Sequence, residues 1–204
     1  MRTKKVLFYA FAIVLGGCIP VISLNPFYKT SNITYDEKFL GIWVDEPNKP
    51  KMTWVFSRND DPNISYNLHV TDDQGREGLF YANLISLKDM YFIDVYPSQV
   101  PWEPDEPNKV EYLYNAFFLI PAHAVLKVDA VEPQLIVKMT EVDKLEELLK
   151  EDPGAIEYKV IDDRIILTAS TEELQEFILK YYKDDRLFPD KITLNRLGAN
   201  PPKP

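Results

Sequence analysis

The sequence predicts an α+β fold, in which a curved or closed antiparallel β-sheet of about eight to ten strands, a barrel or half-barrel, packs against two helices. Short runs of aromatic and β-branched residues are separated by turn residues that are too few to form crossover helices. Tyrosine (12) and phenylalanine (11) are abundant and glycine (7) is scarce, which is typical of strands around a packed core. Two segments have the period of amphipathic helices.

The predicted strands follow one another as a meander. The five residues Asn59 to Asn63 and the pair Lys88-Asp89 are joins typical of antiparallel neighbours. The segments with strand character are residues 53–58, 64–71, 79–87, 90–96, 112–120, 122–130, 134–140, 156–160, 164–168 and 191–197.

Two helices are predicted after the meander. The first spans residues 141–150 and ends before Pro153-Gly154. The second follows a capping box, in which Ser170 can accept from the third helical amide while Glu173 reaches back. The apolar stripes that face the core are Val142, Leu145, Leu148 and Leu149 in the first helix, and Leu174, Phe177, Ile178 and Tyr181 in the second.

The first residues have the order of a secretory signal. Arg2, Lys4 and Lys5 form a basic start, residues 6–15 are apolar throughout, and Gly16-Gly17 are small enough for a peptidase cleft. The apolar run is about half as long as a membrane-spanning helix. We therefore expect this segment to direct export.

Cys18 is the only cysteine in the chain. Leu15-Gly16-Gly17-Cys18 resembles the lipobox of bacterial lipoproteins. The resemblance implies cleavage before Cys18 and attachment of diacylglycerol and a further acyl chain such as palmitate, which together hold a protein stably on a membrane. It places the protein in the cell envelope, and Ile19, in place of the Asp that commonly retains such proteins at the inner membrane, favours the outer membrane of a Gram-negative host. The alternatives are a buried cysteine and an uncleaved anchor helix.

The mature protein is strongly acidic. Removal of three basic residues with the signal leaves 20 basic against 32 acidic residues, a formal charge of −12. An acidic domain is repelled by phosphate backbones, so we expect no nucleic-acid partner. The predicted organisation is a signal peptide (1–17), a lipidated tether (18–35), a single globular domain (36–198) and a disordered tail (199–204).

The inventory of reactive residues argues against catalysis. The two histidines, His69 and His123, lie far apart, and we interpret both as surface residues without a catalytic partner. No cluster has metal-ligand spacing and no glycine-rich phosphate loop occurs, so neither a metal nor a cofactor is expected. The repeated sequence Asp-Glu-Pro-Asn-Lys, at 45–49 and 105–109, is interpreted as two solvated turns rather than a ligand loop.

Phe39-Leu-Gly41-Ile-Trp43, followed by meandering strands and a capped helix, is similar to the lipocalins. The resemblance implies a closed barrel that binds a small apolar molecule inside, with Trp43, Trp54 and Tyr66 as candidate ligand-binding residues. Ordinary core packing is the alternative role for the tryptophans. Lipocalins usually carry an Arg near the end of the last barrel strand, packed over the Trp. In this sequence Thr168-Ala169 stand at that position and Arg164 lies at the opposite end of the strand, and the helix at 141–150 also departs from the lipocalin pattern.

The functional expectation is a non-catalytic, membrane-anchored envelope protein that binds a small apolar ligand in its barrel. One alternative is an adaptor whose outer surface binds another envelope protein. A third is a hydrolase that uses two carboxylates brought together by the fold.

Overall fold

The computed structural model describes residues 20–98, 120–162 and 164–198. Its strands and helices are β1 (Ile22–Ser23), β2 (Ile33–Thr34), β3 (Gly41–Val44), β4 (Met52–Arg58), β5 (Tyr66–Asp72), β6 (Glu77–Leu87), β7 (Met90–Pro97), β8 (Ala124–Ala130), β9 (Gln134–Met139), α1 (Val142–Glu151), β10 (Tyr158–Ile161), β11 (Arg164–Leu167), α2 (Thr171–Tyr181) and β12 (Asp190–Gly198). The signal peptide, Cys18, the strand predicted at 112–120 up to residue 119, the second copy of the repeat and the tail all lie outside the described residues.

Eight strands form a closed antiparallel barrel, which confirms the predicted fold class. The order around the barrel is β3-β4-β5-β6-β7-β8-β9-β12, and β12 pairs with β3 to close it. The short joins act as predicted, because Leu87 and Met90 pair directly across the Lys88-Asp89 turn. Strand β2 pairs with the second half of β6 at the barrel's edge.

A second layer, here called the inserted layer, is formed by the segment between β9 and β12 together with β1. It contains both helices, α1 and α2, and a small sheet in which β11 lies between β1 and β10. The strands predicted at 156–160 and 164–168 are therefore present but do not belong to the barrel. The strand that closes the barrel is β12, which pairs with β3 and β9.

Two hydrophobic cores lie on opposite faces of the same barrel wall. Alternation along each strand sends one set of side chains inward and the other outward. On β7, Ile93 faces the barrel interior and Phe92 faces the inserted layer. The outer core joins Phe92 to the helices through Leu145, Leu174 and Phe177.

The segment assigned from sequence to a tether is packed into the fold from Val21 onward. Residues 21–35, here called the N-terminal strap, run between the barrel wall and α2. Val21 and Phe27 are buried in the outer core. The Phe27 carbonyl accepts from Gln175 Nε2 at 2.8 Å, and Asn25 Nδ2 donates to the Ala169 carbonyl at 2.8 Å. The sequence showed no period here because these residues are held by contacts with distant elements rather than by repeating structure.

Candidate functional site

The lower end of the barrel, where β3 begins, is closed by side chains. Phe39 lies across it, with its ring centroid 5.8 Å from that of Phe56 and 5.5 Å from that of Tyr66. A short 3₁₀ turn, Glu37–Phe39, brings the chain to this position, with Asp36 capping it. Gly41 follows with φ of 127°, a backbone conformation that favours glycine.

Trp43 and Arg196 complete this closure. The guanidinium of Arg196 lies 4.4 Å from the centre of the Trp43 ring, and it donates to the carbonyls of Leu40 and Lys38. Trp43 Nε1 donates to the Phe39 carbonyl at 2.8 Å. The arginine expected from the lipocalin resemblance is thus present, on β12. The sequence interpretation that placed Thr168 at this position was wrong, because it took β11 for the last barrel strand.

Tyr66 also takes part in closing the lower end. Its hydroxyl donates to the Asp36 carbonyl at 2.9 Å and accepts from the Asp36 amide at 2.8 Å. Burial raises the pKa of Tyr66. Trp43 and Tyr66 therefore have their polar atoms occupied within the protein, and the structure gives each a packing role.

The upper end, where β3 and β9 end, presents apolar side chains that are only partly buried. Six side chains face the interior here and remain partly exposed: Met52, Val70, Phe80, Val95, Met139 and Ile192. The Phe80 ring lies across Gly78, where a Cβ would approach it to 2.5 Å. Glycine at this position leaves room for an aromatic ring at the barrel mouth.

Trp54 lies just below these six side chains, which together are called the apolar ring. It is 5% exposed, and its register partner on β3 is Trp43. Unlike Trp43, it has a buried indole N–H with no acceptor among the described residues. An unsatisfied buried donor costs roughly 1–3 kcal/mol. Of the three candidate ligand-binding residues, Trp54 alone offers an unoccupied polar atom.

A cleft of about 230 Å³ lies at the lower end. Its lining includes Tyr35, Phe39, Tyr91 and Val128. Phe39 is almost fully buried and separates this cleft from the barrel core. The volume is below the roughly 300 Å³ at which small-molecule sites begin.

Asp94 and His123 form a buried pair on the outer wall of the barrel. His123 Nδ1 lies 2.7 Å from Asp94 Oδ1, and the Phe27 amide donates to Asp94 Oδ2 at 2.7 Å. Asp94 is 0% exposed and His123 is 9% exposed, so the interpretation of His123 as a surface residue was wrong. Burial raises the pKa of Asp94, and its bonds to His123 and Phe27 oppose that rise.

Three tyrosines surround this pair. The Tyr96 ring lies 4.7 Å from that of His123, and Tyr28 and Tyr81 contact Tyr96. The backbones of His123 and Ser23 exchange hydrogen bonds of 2.8 and 2.9 Å. The pair therefore fixes the N-terminal strap to the barrel. A sequence signal did exist, because Asp94 lies on the outward face of a strand between the aromatic residues Phe92 and Tyr96.

The second histidine, His69, lies on β5 beside a surface carboxylate. His69 faces outward, as its alternation with Tyr66 and Leu68 predicts, and its Nε2 lies 3.5 Å from Glu77 Oε2. Within residues 20–98, 120–162 and 164–198, no three His, Cys, Asp or Glu side chains converge in a way that could hold a metal ion. Neither helix in this part of the chain has the length and apolarity needed to cross a membrane.

Comparisons with protein-family models, with curated proteins and with solved structures gave no match to this chain.

Proposed function

We propose that this protein is a lipid-anchored envelope lipoprotein that binds a small apolar molecule at the upper end of its barrel, without catalysis. The observation that carries the binding part is the ring of partly exposed apolar side chains above a closed barrel floor. Small-molecule sites are lined predominantly by hydrophobic and aromatic side chains.

Trp54 indicates which class of ligand suits the site. Its buried indole N–H lacks an acceptor among the described residues, directly beneath the apolar ring. A ligand with a carbonyl or carboxylate oxygen would satisfy this donor. We infer an amphipathic ligand, with an apolar body between Val70, Phe80 and Met139 and an acceptor near Trp54.

The path of the strap supports delivery of such a ligand from a membrane. Val21 N donates to the Thr140 carbonyl, and Pro20 forms a bridge with Glu141. Both partners directly follow β9, at the upper end of the barrel. The chain therefore leaves towards Cys18 beside the proposed binding site, and a lipid on Cys18 would hold that site close to the bilayer.

The binding proposal predicts that Val70→Lys weakens binding of an apolar fluorescent probe, N-phenyl-1-naphthylamine, at least tenfold, because the bound probe would cover an ammonium group that has no partner there, which costs several kcal/mol. His69→Lys is the matched control, since His69 lies next to Val70 on β5 and faces outward. Probe fluorescence is titrated with the full chain in mild detergent, and far-ultraviolet circular dichroism checks the fold of each variant.

Val128→Lys tests the lower cleft in the same titration and should leave probe binding intact. If Val128→Lys abolishes binding while Val70→Lys does not, the ligand binds in the lower cleft and the proposal is wrong.

Trp54→Phe should leave the affinity for the probe unchanged. It should weaken displacement of the probe by palmitic acid about fivefold, which corresponds to the loss of one hydrogen bond of about 1 kcal/mol. An equal loss for probe and acid would contradict a hydrogen-bonding role for Trp54.

A hydrolase remains the alternative with one observation in its favour, the Asp94–His123 pair, since buried acids with perturbed pKa values often mark active sites. Two features favour a structural role. Both carboxylate oxygens of Asp94 are occupied, by His123 and by the Phe27 amide. The pair also lies beneath the strap on the outer wall, whereas the apolar ring lies inside the barrel.

A further inference from the structure

The tip of the β10–β11 hairpin exposes apolar side chains. Val160 is 62% exposed and Ile161 is 52% exposed. Neighbours on a strand point to opposite faces, so exposure of both means that the tip projects clear of the domain. Lys159 and Arg164 flank these residues and are also exposed. The sequence of the turn between them is Asp162-Asp163, so this tip combines an apolar end with two cations and two carboxylates.

The hairpin lies beside the point where the chain leaves towards Cys18. β1 runs parallel to β11, with Ile22 opposite Ile166. Because the two strands are parallel, the residues that precede β1 lie towards the end of β11 that begins at Arg164, next to the hairpin tip. Cys18 precedes Pro20 by two residues, a distance of at most about 7 Å along an extended chain.

We propose that the hairpin tip, with Val160 and Ile161 at its end, inserts into the headgroup region of the bilayer that holds the lipid of Cys18. This proposal rests on the proposed lipid attachment. Burial of the two apolar side chains favours insertion, and Lys159 and Arg164 lie where they can meet lipid phosphates. Asp162 in the turn keeps the tip at the interface, since a carboxylate is not stable in hydrocarbon.

A single flexible lipid attachment leaves the domain free to rotate on the membrane, whereas two membrane contacts fix its orientation. With Cys18 and the hairpin tip both at the membrane, the domain cannot rotate freely about its anchor. The upper end of the barrel, beside which Pro20 leaves the fold, is then held next to the bilayer. The lower end, with the Lys88-Asp89 turn, faces away from it.

The test places an environment-sensitive fluorophore on single cysteines. Full-length protein carrying Ile161→Cys is labelled with a nitrobenzoxadiazole iodoacetamide and reconstituted into phosphatidylcholine vesicles. We expect a blue shift of its emission and quenching by doxyl-labelled phosphatidylcholine. Asp89→Cys, exposed in the turn at the lower end, is the matched control and should show neither effect.

The outcomes separate this proposal from the proposed function. Wild-type protein should take up no label, because the thiol of Cys18 is engaged as a thioether; labelling of the wild type would overturn both proposals. An unlabelled wild type with identical emission from positions 161 and 89 overturns the hairpin contact alone. A blue shift at position 161 without quenching by doxyl lipid indicates burial against protein, such as a second copy pairing with β10, and also overturns it.

Discussion

At the scale of single residues, the Asp94–His123 pair shows how two side chains 29 positions apart hold a long segment in place. Tyr96 lies across the β7–β8 ladder from His123, and Asp94 binds the strap through the Phe27 amide. The position of the strap therefore depends on the buried Asp94 carboxylate and on its hydrogen bonds to both His123 and the Phe27 amide.

His123→Ala should destabilise the protein by about 3–5 kcal/mol at neutral pH, because the Asp94 carboxylate loses its main partner in a buried site. Burial raises the pKa of Asp94 in the folded state, so protonation favours folding. The difference in unfolding free energy between His123→Ala and wild type should therefore become smaller as the pH falls towards about 4, the pKa of an aspartate carboxyl in the unfolded chain.

Urea unfolding at neutral and acidic pH measures this dependence, with His69→Ala, at a half-buried and outward-facing position, as a control that should change stability little at either pH. A loss that is equal at both pH values would show that the charge of Asp94 is not responsible.

Arg196 is a second residue whose side chain joins segments that are distant in the sequence. Arg196→Ala removes a cation from the face of Trp43 and two donors from the carbonyls of Lys38 and Leu40. We expect a loss of about 2–3 kcal/mol, measured by urea unfolding. Lys191→Ala, at an exposed position of the same strand, is the control. Equal effects of the two substitutions would contradict a closing role for Arg196.

At the scale of elements, α2 forms as its sequence predicts. Ser170 Oγ accepts from the Glu173 amide at 3.3 Å, and the Ser170 amide donates to Glu173 Oε2 at 2.8 Å, which confirms the capping box. The stripe of Leu174, Phe177 and Ile178 is buried against the barrel wall, in the outer core.

Ser170→Ala should cost about 1 kcal/mol through loss of the cap, and Phe177→Ala should cost roughly 3–5 kcal/mol through the cavity that it leaves. Glu176→Ala, on the exposed face of the same helix, should have little effect. Unfolding free energies of the three variants test this order. A negligible loss for Phe177→Ala would mean that the helix contributes nothing to the outer core.

At the scale of the whole molecule, the barrel is enclosed by chain that precedes and interrupts it. The N-terminal strap and the inserted layer cover one wall, while β12 returns to close the barrel after about fifty residues of insertion. The strap brings the chain from the proposed anchor to the upper end of the barrel, so a lipid at Cys18 would act directly on the position of the domain.

Cys18→Ser should abolish incorporation of radioactive palmitate and leave an uncleaved precursor, because the thiol is the nucleophile that accepts the lipid. Metabolic labelling of cells that express each form provides the measurement. A mutant that still incorporates palmitate, or a wild type that never does, would contradict the lipobox interpretation.

The elements were predictable from sequence because their signals are local. Alternating apolar residues predict most of the barrel strands, Lys88-Asp89 predicts a hairpin, and Ser170 with Glu173 predicts the start of a helix. Each of these patterns acts over a few residues, so a single chain suffices to recognise it. The sequence predicted a curved or closed sheet, and the structure shows a closed barrel.

Only the tertiary structure decided which strands meet and which polar groups pair. It placed β12 rather than β11 in the barrel, and with it Arg196 over Trp43. It joined Asp94 to His123 and turned a predicted tether into a packed strap. The physical reason is that pairing between distant segments depends on how all the strands pack together on the two buried faces of the barrel wall. This packing produces no periodic pattern in the sequence of either partner.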